Sequence, residues 1–174
     1  FLLNCIELSN VKRIIFLSST SVYGSKGGNF NELSEVNPKN PVAKALHTSE
    51  KLIMNSTKAS IIVRLGGLIG KDRNPIFKLQ NRYIGNPGGR INFIHQQDAV
   101  SGICNLIVNP QLRGIYNLVS PHHPNRKKYY EFMAKKLGLP SPKFSSEPAI
   151  IRIIQARKIE DDTPFKYTVN NLLI

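Results

Sequence analysis

Three short apolar runs rich in β-branched residues constrain this chain more than any other feature: residues 12–17 (KRIIFL), 60–65 (SIIVRL) and 114–119 (GIYNLV). Each is too short for a buried helix and lacks the alternation of a strand with one wet face, so each reads as a strand covered on both sides. Helical patterns separate them. Apolar spacing predicts a helix tail over 1–9 stopped by Asn10, a helix over 42–57, one over 99–108 capped by Asp98, and one over 126–137 closed by Gly138 with Pro140 beyond. Covered strands alternating with helices imply a parallel sheet and an α/β fold. Residues 91–94 add a short strand candidate. The basic segment 70–90, punctuated by Gly and Pro, is expected to hold one short helix and to form a small lobe facing a ligand, whereas 141–174 has little regularity.

A chain of 174 residues can bury roughly two-thirds of its unfolded surface in one core, so a single domain over 1–174 is expected. The 41% hydrophobic and 20% charged content excludes a disordered chain. No apolar run reaches the ~18 residues of a membrane span. Cys5 and Cys104 each lie within an apolar helical pattern and are expected to be buried small hydrophobes rather than a disulfide, which points to a reducing, cytoplasmic setting. The first residue is Phe and a helical pattern is already under way there, so a preceding segment is expected. The net charge of +13 attracts phosphates. It is dispersed in short groups such as Arg126-Lys127-Lys128, which favours a solvated surface or a small phosphate-bearing ligand over nucleic acid. The adjacent His122 and His123 have no carboxylate or cysteine at ligand spacing, so no metal site is expected.

Residues 12–24 (KRIIFLSSTSVYG) form a strand that ends in serines and a Val-Tyr-Gly turn. They are followed in order by 63–70 (VRLGGLIG) with Arg73-Asn74-Pro75, by 94–99 (IHQQDA) and by 114–117 (GIYN). This series resembles the C-terminal portion of the extended short-chain dehydrogenases/reductases, the NAD-dependent epimerase/dehydratase type that acts on nucleoside-diphosphate sugars. The resemblance implies an incomplete Rossmann-like sheet built from the family's C-terminal strands, flanking helices and a small substrate-side lobe. It also implies NAD or NADP as cofactor of the full-length protein. Two departures matter. The family's G-x-x-G-x-x-G turn, which holds the pyrophosphate of the dinucleotide, is absent, so this chain alone is not expected to bind the cofactor tightly. The family's Tyr-x-x-x-Lys pair is absent too. Aligning Glu50 with the family helix puts Val42 at the tyrosine position and Leu46 at the lysine position, and neither can exchange a proton; a shift of register brings only Lys44 or His47 near.

By the same resemblance Ser19 matches the family's active-site hydroxyl, with strand-end capping as the competing role; Ser18, Thr20 and Tyr23 read as structural. Leu65, Gly66 and Leu68 match the segment beside the nicotinamide, although buried strand and turn residues would look alike. Arg73, Asn74 and Arg90 are the substrate-binding candidates, the arginines as clamps for a diphosphate. The chain is expected to be inactive alone. The alternative is a non-catalytic binding or regulatory module of the same fold. A sheet lacking its first strands would expose the flank of residues 12–17, so self-association is expected.

Overall fold

The computed structural model describes residues 1–80 and 82–173. Helix α1 (Leu2–Glu7) leads into strand β1 (Arg13–Ser19), and a single 3-10 turn (Thr20–Tyr23) follows. Strand β2 (Gly28–Phe30), helix α2 (Pro41–Met54), strand β3 (Ala59–Leu65) and strand β4 (Gly67–Ile69) come next. The basic excursion holds helix α3 (Ile76–Leu79) and strand β5 (Tyr83–Ile84), before strand β6 (Phe93–His95), helix α4 (Gln96–Val108) and strand β7 (Gly114–Leu118). Helix α5 (Arg126–Lys136), strands β8 (Lys143–Phe144) and β9 (Arg152–Ile154) and helix α6 (Lys158–Asp162) complete the chain.

The three apolar runs form one parallel sheet in the order β1-β3-β7, with Ile15 opposite Ile61 and Val63 opposite Tyr116. The central position of β3 explains its composition: Ile61, Ile62 and Val63 are fully buried because helices cover both faces of the sheet. Among the described residues β1 is paired on one side only, and its Leu17 is 48% exposed. Helix α2 starts where Asn40 accepts from the Ala43 N–H (2.8 Å), with Pro41 in its first turn, and α5 ends at Gly138 in the left-handed region at φ +64°. No helix among the described residues is long and apolar enough to cross a membrane.

The tail has little regular structure, as expected, but it is tied into the fold: β9 pairs with β2, β8 pairs with β5, and Ile159 and Phe165 enter the same core as Ile61, Val63 and Leu106. Strands of two or three residues show no period in a sequence, which is why they were invisible there. Both cysteines are exposed rather than buried, because Cys104 lies off the stripe of Ala99, Gly102 and Leu106 that α4 turns inward. Helix α4 starts earlier than expected, at Gln96, and is capped by His95, whose Nδ1 accepts from the Gln97 N–H (3.3 Å). Asp98 is therefore not the cap. Its carboxylate accepts instead from the Thr168 and Val169 N–H groups (3.0 Å each) and from the Thr168 hydroxyl (2.6 Å), fastening the tail to α4.

Candidate functional site: an arginine-lined cleft

Strand β1 ends in two serines whose side chains alternate, as pleating requires. Ser18 turns inward and donates to Glu50 Oε1 of α2 (2.6 Å), while Glu50 receives Arg64 of β3 through Nε (3.0 Å) and a terminal nitrogen (2.7 Å). The Arg64 guanidinium lies 4.8 Å from the centre of the Tyr23 ring, and the Tyr23 hydroxyl donates to Asn117 of β7 (2.9 Å). This buried network ties β1, α2, β3 and β7 together directly beneath the strand ends. Tyr23 and Ser18 are thus structural, as the sequence implied.

Ser19 points the other way. Its hydroxyl oxygen accepts from the Ser21 N–H (3.1 Å), capping the turn, and its own proton has no acceptor among the described residues. Ser19, Thr20 and Ser21 line a cleft of about 390 Å³ whose other walls include Gly67, Phe93 and the side chains of Lys39, Arg90, Arg126 and Arg152. Among the described residues no carboxylate lines it. Arg152 donates to the carbonyls of Thr20 (3.4 Å) and Gly24, Arg126 donates to that of Gly85 (3.3 Å), and the Arg126 Nε is buried without a partner among the described residues. Burial, followed by the charge of Arg126, holds the Arg152 guanidinium below its ordinary pKa, yet an arginine stays protonated in any neutral solution. Cations that repel one another without a counter-charge are relieved by an anion, and forked donors suit the oxygens of a phosphate.

Of the sequence candidates, only Ser19 and Arg90 reach this cleft. Arg73 is exposed and donates through Nε to the Leu68 carbonyl (3.2 Å). Asn74 donates to the Tyr129 hydroxyl (3.0 Å) and lies in a different cavity. Leu65 and Leu68 pack against the central core. Gly66 occupies the turn between β3 and β4, where a Cβ would meet the Asn92 carbonyl oxygen at 2.8 Å, and the Phe93 ring fills the corresponding space at Gly67. These glycines admit the protein's own backbone and ring, so they form no cradle for a pyrophosphate. Gly66 and Gly67 therefore offer no room for the dinucleotide's diphosphate. Val42 is 70% exposed, Leu46 packs against the Val22 and Tyr23 cluster, and Lys44 and His47 do not line the cleft. His47 Nδ1 lies 3.6 Å from Glu50. His122 and His123 each meet backbone, at the Leu172 N–H (2.9 Å) and the Ile91 carbonyl (3.0 Å). Lys39, Arg126 and Arg152 were not anticipated. They sit in a loop, a helix start and the tail, and carry no local signal of convergence.

Residues 2–118 match the family described as NAD dependent epimerase/dehydratase. Protein YeeZ of Escherichia coli K12 is 34% identical over 169 residues, covering 94% of this chain; the chain spans 61% of that relative's length. The fold superposes on WbmG of Bordetella bronchiseptica, solved in complex with NAD, with a TM-score of 0.82 at 15% identity over 98% of this chain and 59% of that one. The UDP-glucuronic acid 4-epimerase of Bacillus cereus, also solved with NAD, gives 0.81 at 17% identity over 99% and 61%. At such identities the likeness shows the fold alone.

Proposed function

The chain belongs to the NAD dependent epimerase/dehydratase family, and from that premise we propose that it is the substrate-side part of a longer NAD(P)-dependent protein that binds nucleoside-diphosphate sugars. The observation that carries this reading is the convergence of Lys39, Arg90, Arg126 and Arg152 on a cleft lined by no carboxylate among the described residues, beside the Ser19 hydroxyl. The cations would hold the diphosphate and Ser19 would donate to an oxygen of the sugar. NAD or NADP supplies hydride chemistry when bound, but its diphosphate would be held by segments outside this chain, since Gly66 and Gly67 are filled by protein. With the dinucleotide's diphosphate held outside it, this chain by itself binds without turnover. Two exposed free thiols suit a cytoplasmic setting.

Calorimetric titration with UDP and with uridine tests the cleft. UDP is expected to bind and uridine not, and Arg90→Glu should weaken UDP at least tenfold, because it replaces a charge-assisted bond by repulsion. Equal behaviour of UDP and uridine would sink the reading. A second reading, a non-catalytic binding module, is favoured specifically by Val42 and Leu46; turnover of a nucleotide sugar by the longer polypeptide would remove it.

The open flank of β1 further leads us to propose that this chain self-associates. With Leu17 and Val11 exposed beside unpaired strand edge, dimers or larger species are expected in sedimentation at tens of micromolar. They should strengthen with salt, as the charge of +13 is screened. Leu17→Lys should shift them to monomer. A wild-type chain that sediments as a monomer at all salt concentrations would refute the proposal.

A further inference from the structure

A second cleft, of about 290 Å³, shares no lining residue with the first. It lies between the ends of β4 and β6, helix α5 and the tail. Ile69, Met133, Leu137, Val169 and Leu172 make its apolar walls, and the charged side chains that line it are cationic. His95 accepts the Gln97 N–H at Nδ1, so its neutral ring carries hydrogen on Nε2 and is a donor. Lys71 and Lys136 add ammonium groups, and among the described residues no carboxylate lines the cavity.

Tyr129 is the informative residue. It is 0% exposed, and its hydroxyl accepts from Asn74 Nδ2 (3.0 Å). The orientation of that amide is set by Asn74 Oδ1, which accepts from the Ile76 N–H (3.1 Å). The tyrosine's own proton consequently has no acceptor among the described residues. Burial pushes the phenol up to about 12, so the proton stays in place. A buried donor without an acceptor is costly, which makes the unused Tyr129 O–H, at the wall of a cavity whose charged groups are cationic, a mark of a missing acceptor.

We propose that this cleft binds a small aliphatic carboxylate, its chain against Ile69, Met133 and Leu172 and its carboxylate accepting from the Tyr129 hydroxyl and the Lys136 ammonium. Apolar walls with a few convergent polar groups are the usual make-up of a small-molecule site, and a volume near the lower end of the ~300–1,000 Å³ range suits a chain of about six to eight carbons. An amine would place a cation among cations. An alcohol could take the Tyr129 proton but would gain nothing from the lysines.

Octanoate, 1-octanol and octylamine serve as probes against the purified chain, with binding followed by calorimetry and by amide chemical shifts. Octanoate is expected to saturate at one per chain, at least tenfold tighter than octanol, with octylamine silent and with shifts centred on Leu172 and Tyr129. Tyr129→Phe should weaken octanoate about tenfold, the worth of one hydrogen bond to a charged group. Because that change also removes the acceptor of Asn74, the exposed Lys136→Glu provides a second variant that leaves the interior untouched and should weaken octanoate by a similar factor. The proposal is overturned if octanoate binds no better than octanol, if both variants bind it like the parent, or if its shifts map to the arginine cleft.

Discussion

Glu50→Ala is expected to destabilise the chain by about 3–5 kcal/mol, the cost of removing one partner from a buried ion pair. Glu50 is 1% exposed and Arg64 3%, so the alanine variant leaves a guanidinium in a dry site beside the Tyr23 ring with no counter-charge. Ser18 loses its acceptor at the same time. Urea unfolding at neutral pH measures the loss, and a change below about 1 kcal/mol would contradict the account. Glu50→Leu combined with Arg64→Met should recover most of the stability, because the desolvation cost then disappears from both sides. Acid dependence offers a second readout. Burial alone would raise the Glu50 carboxyl, but hydrogen bonds from Arg64 and Ser18 outweigh it and hold the pKa below the ordinary carboxylate value. The unfolded chain then binds the proton more readily than the folded one. The contribution is fully present above the unfolded carboxylate pKa and is lost as pH falls through the folded value, and Glu50→Ala should remove that part of the acid dependence.

Asp98→Ala should cost about 3 kcal/mol, since three donors lose one shared acceptor at a site that is 1% exposed. The effect should be local before it is global. Amide exchange at Thr168 and Val169 is expected to lose its protection while the β3 amides keep theirs, because the carboxylate is what joins the tail to α4. Asp98→Asn retains one oxygen and should fall between the parent and the alanine variant. Unchanged exchange at Thr168 in the alanine variant would show that packing of Phe165 and Leu172 holds the tail without Asp98.

Asp98 also illustrates what a sequence conceals. An acidic residue before an apolar helical run is most simply a cap, and nothing local distinguishes that role from contact with a segment about seventy residues later. Helix α4 was legible, but its cap was His95. Strands β1, β3 and β7 were legible because runs covered on both faces must be apolar throughout, and the ends of α5 because glycine alone readily takes the left-handed turn at Gly138. The short pairs β2-β9 and β5-β8 were not, since two or three residues display no period.

The same division runs through the sites. Ser19 could be singled out because it ends the recognisable strand within 12–24, and Arg90 because it lies in the basic excursion 70–90 expected to face a ligand. Arg126 and Arg152 could not, and Asn74, grouped with Arg73 by proximity in sequence, belongs to the second cleft. Residue type and local period were enough to read the parallel α/β sheet and the family from the amino acids alone. It took the folded chain to show that Lys39, Arg90, Arg126 and Arg152 share one cleft and that the Tyr129 proton has no acceptor among the described residues. Both follow from which distant segments meet when the chain closes on its core, and neither the charge of a residue nor its spacing records that meeting.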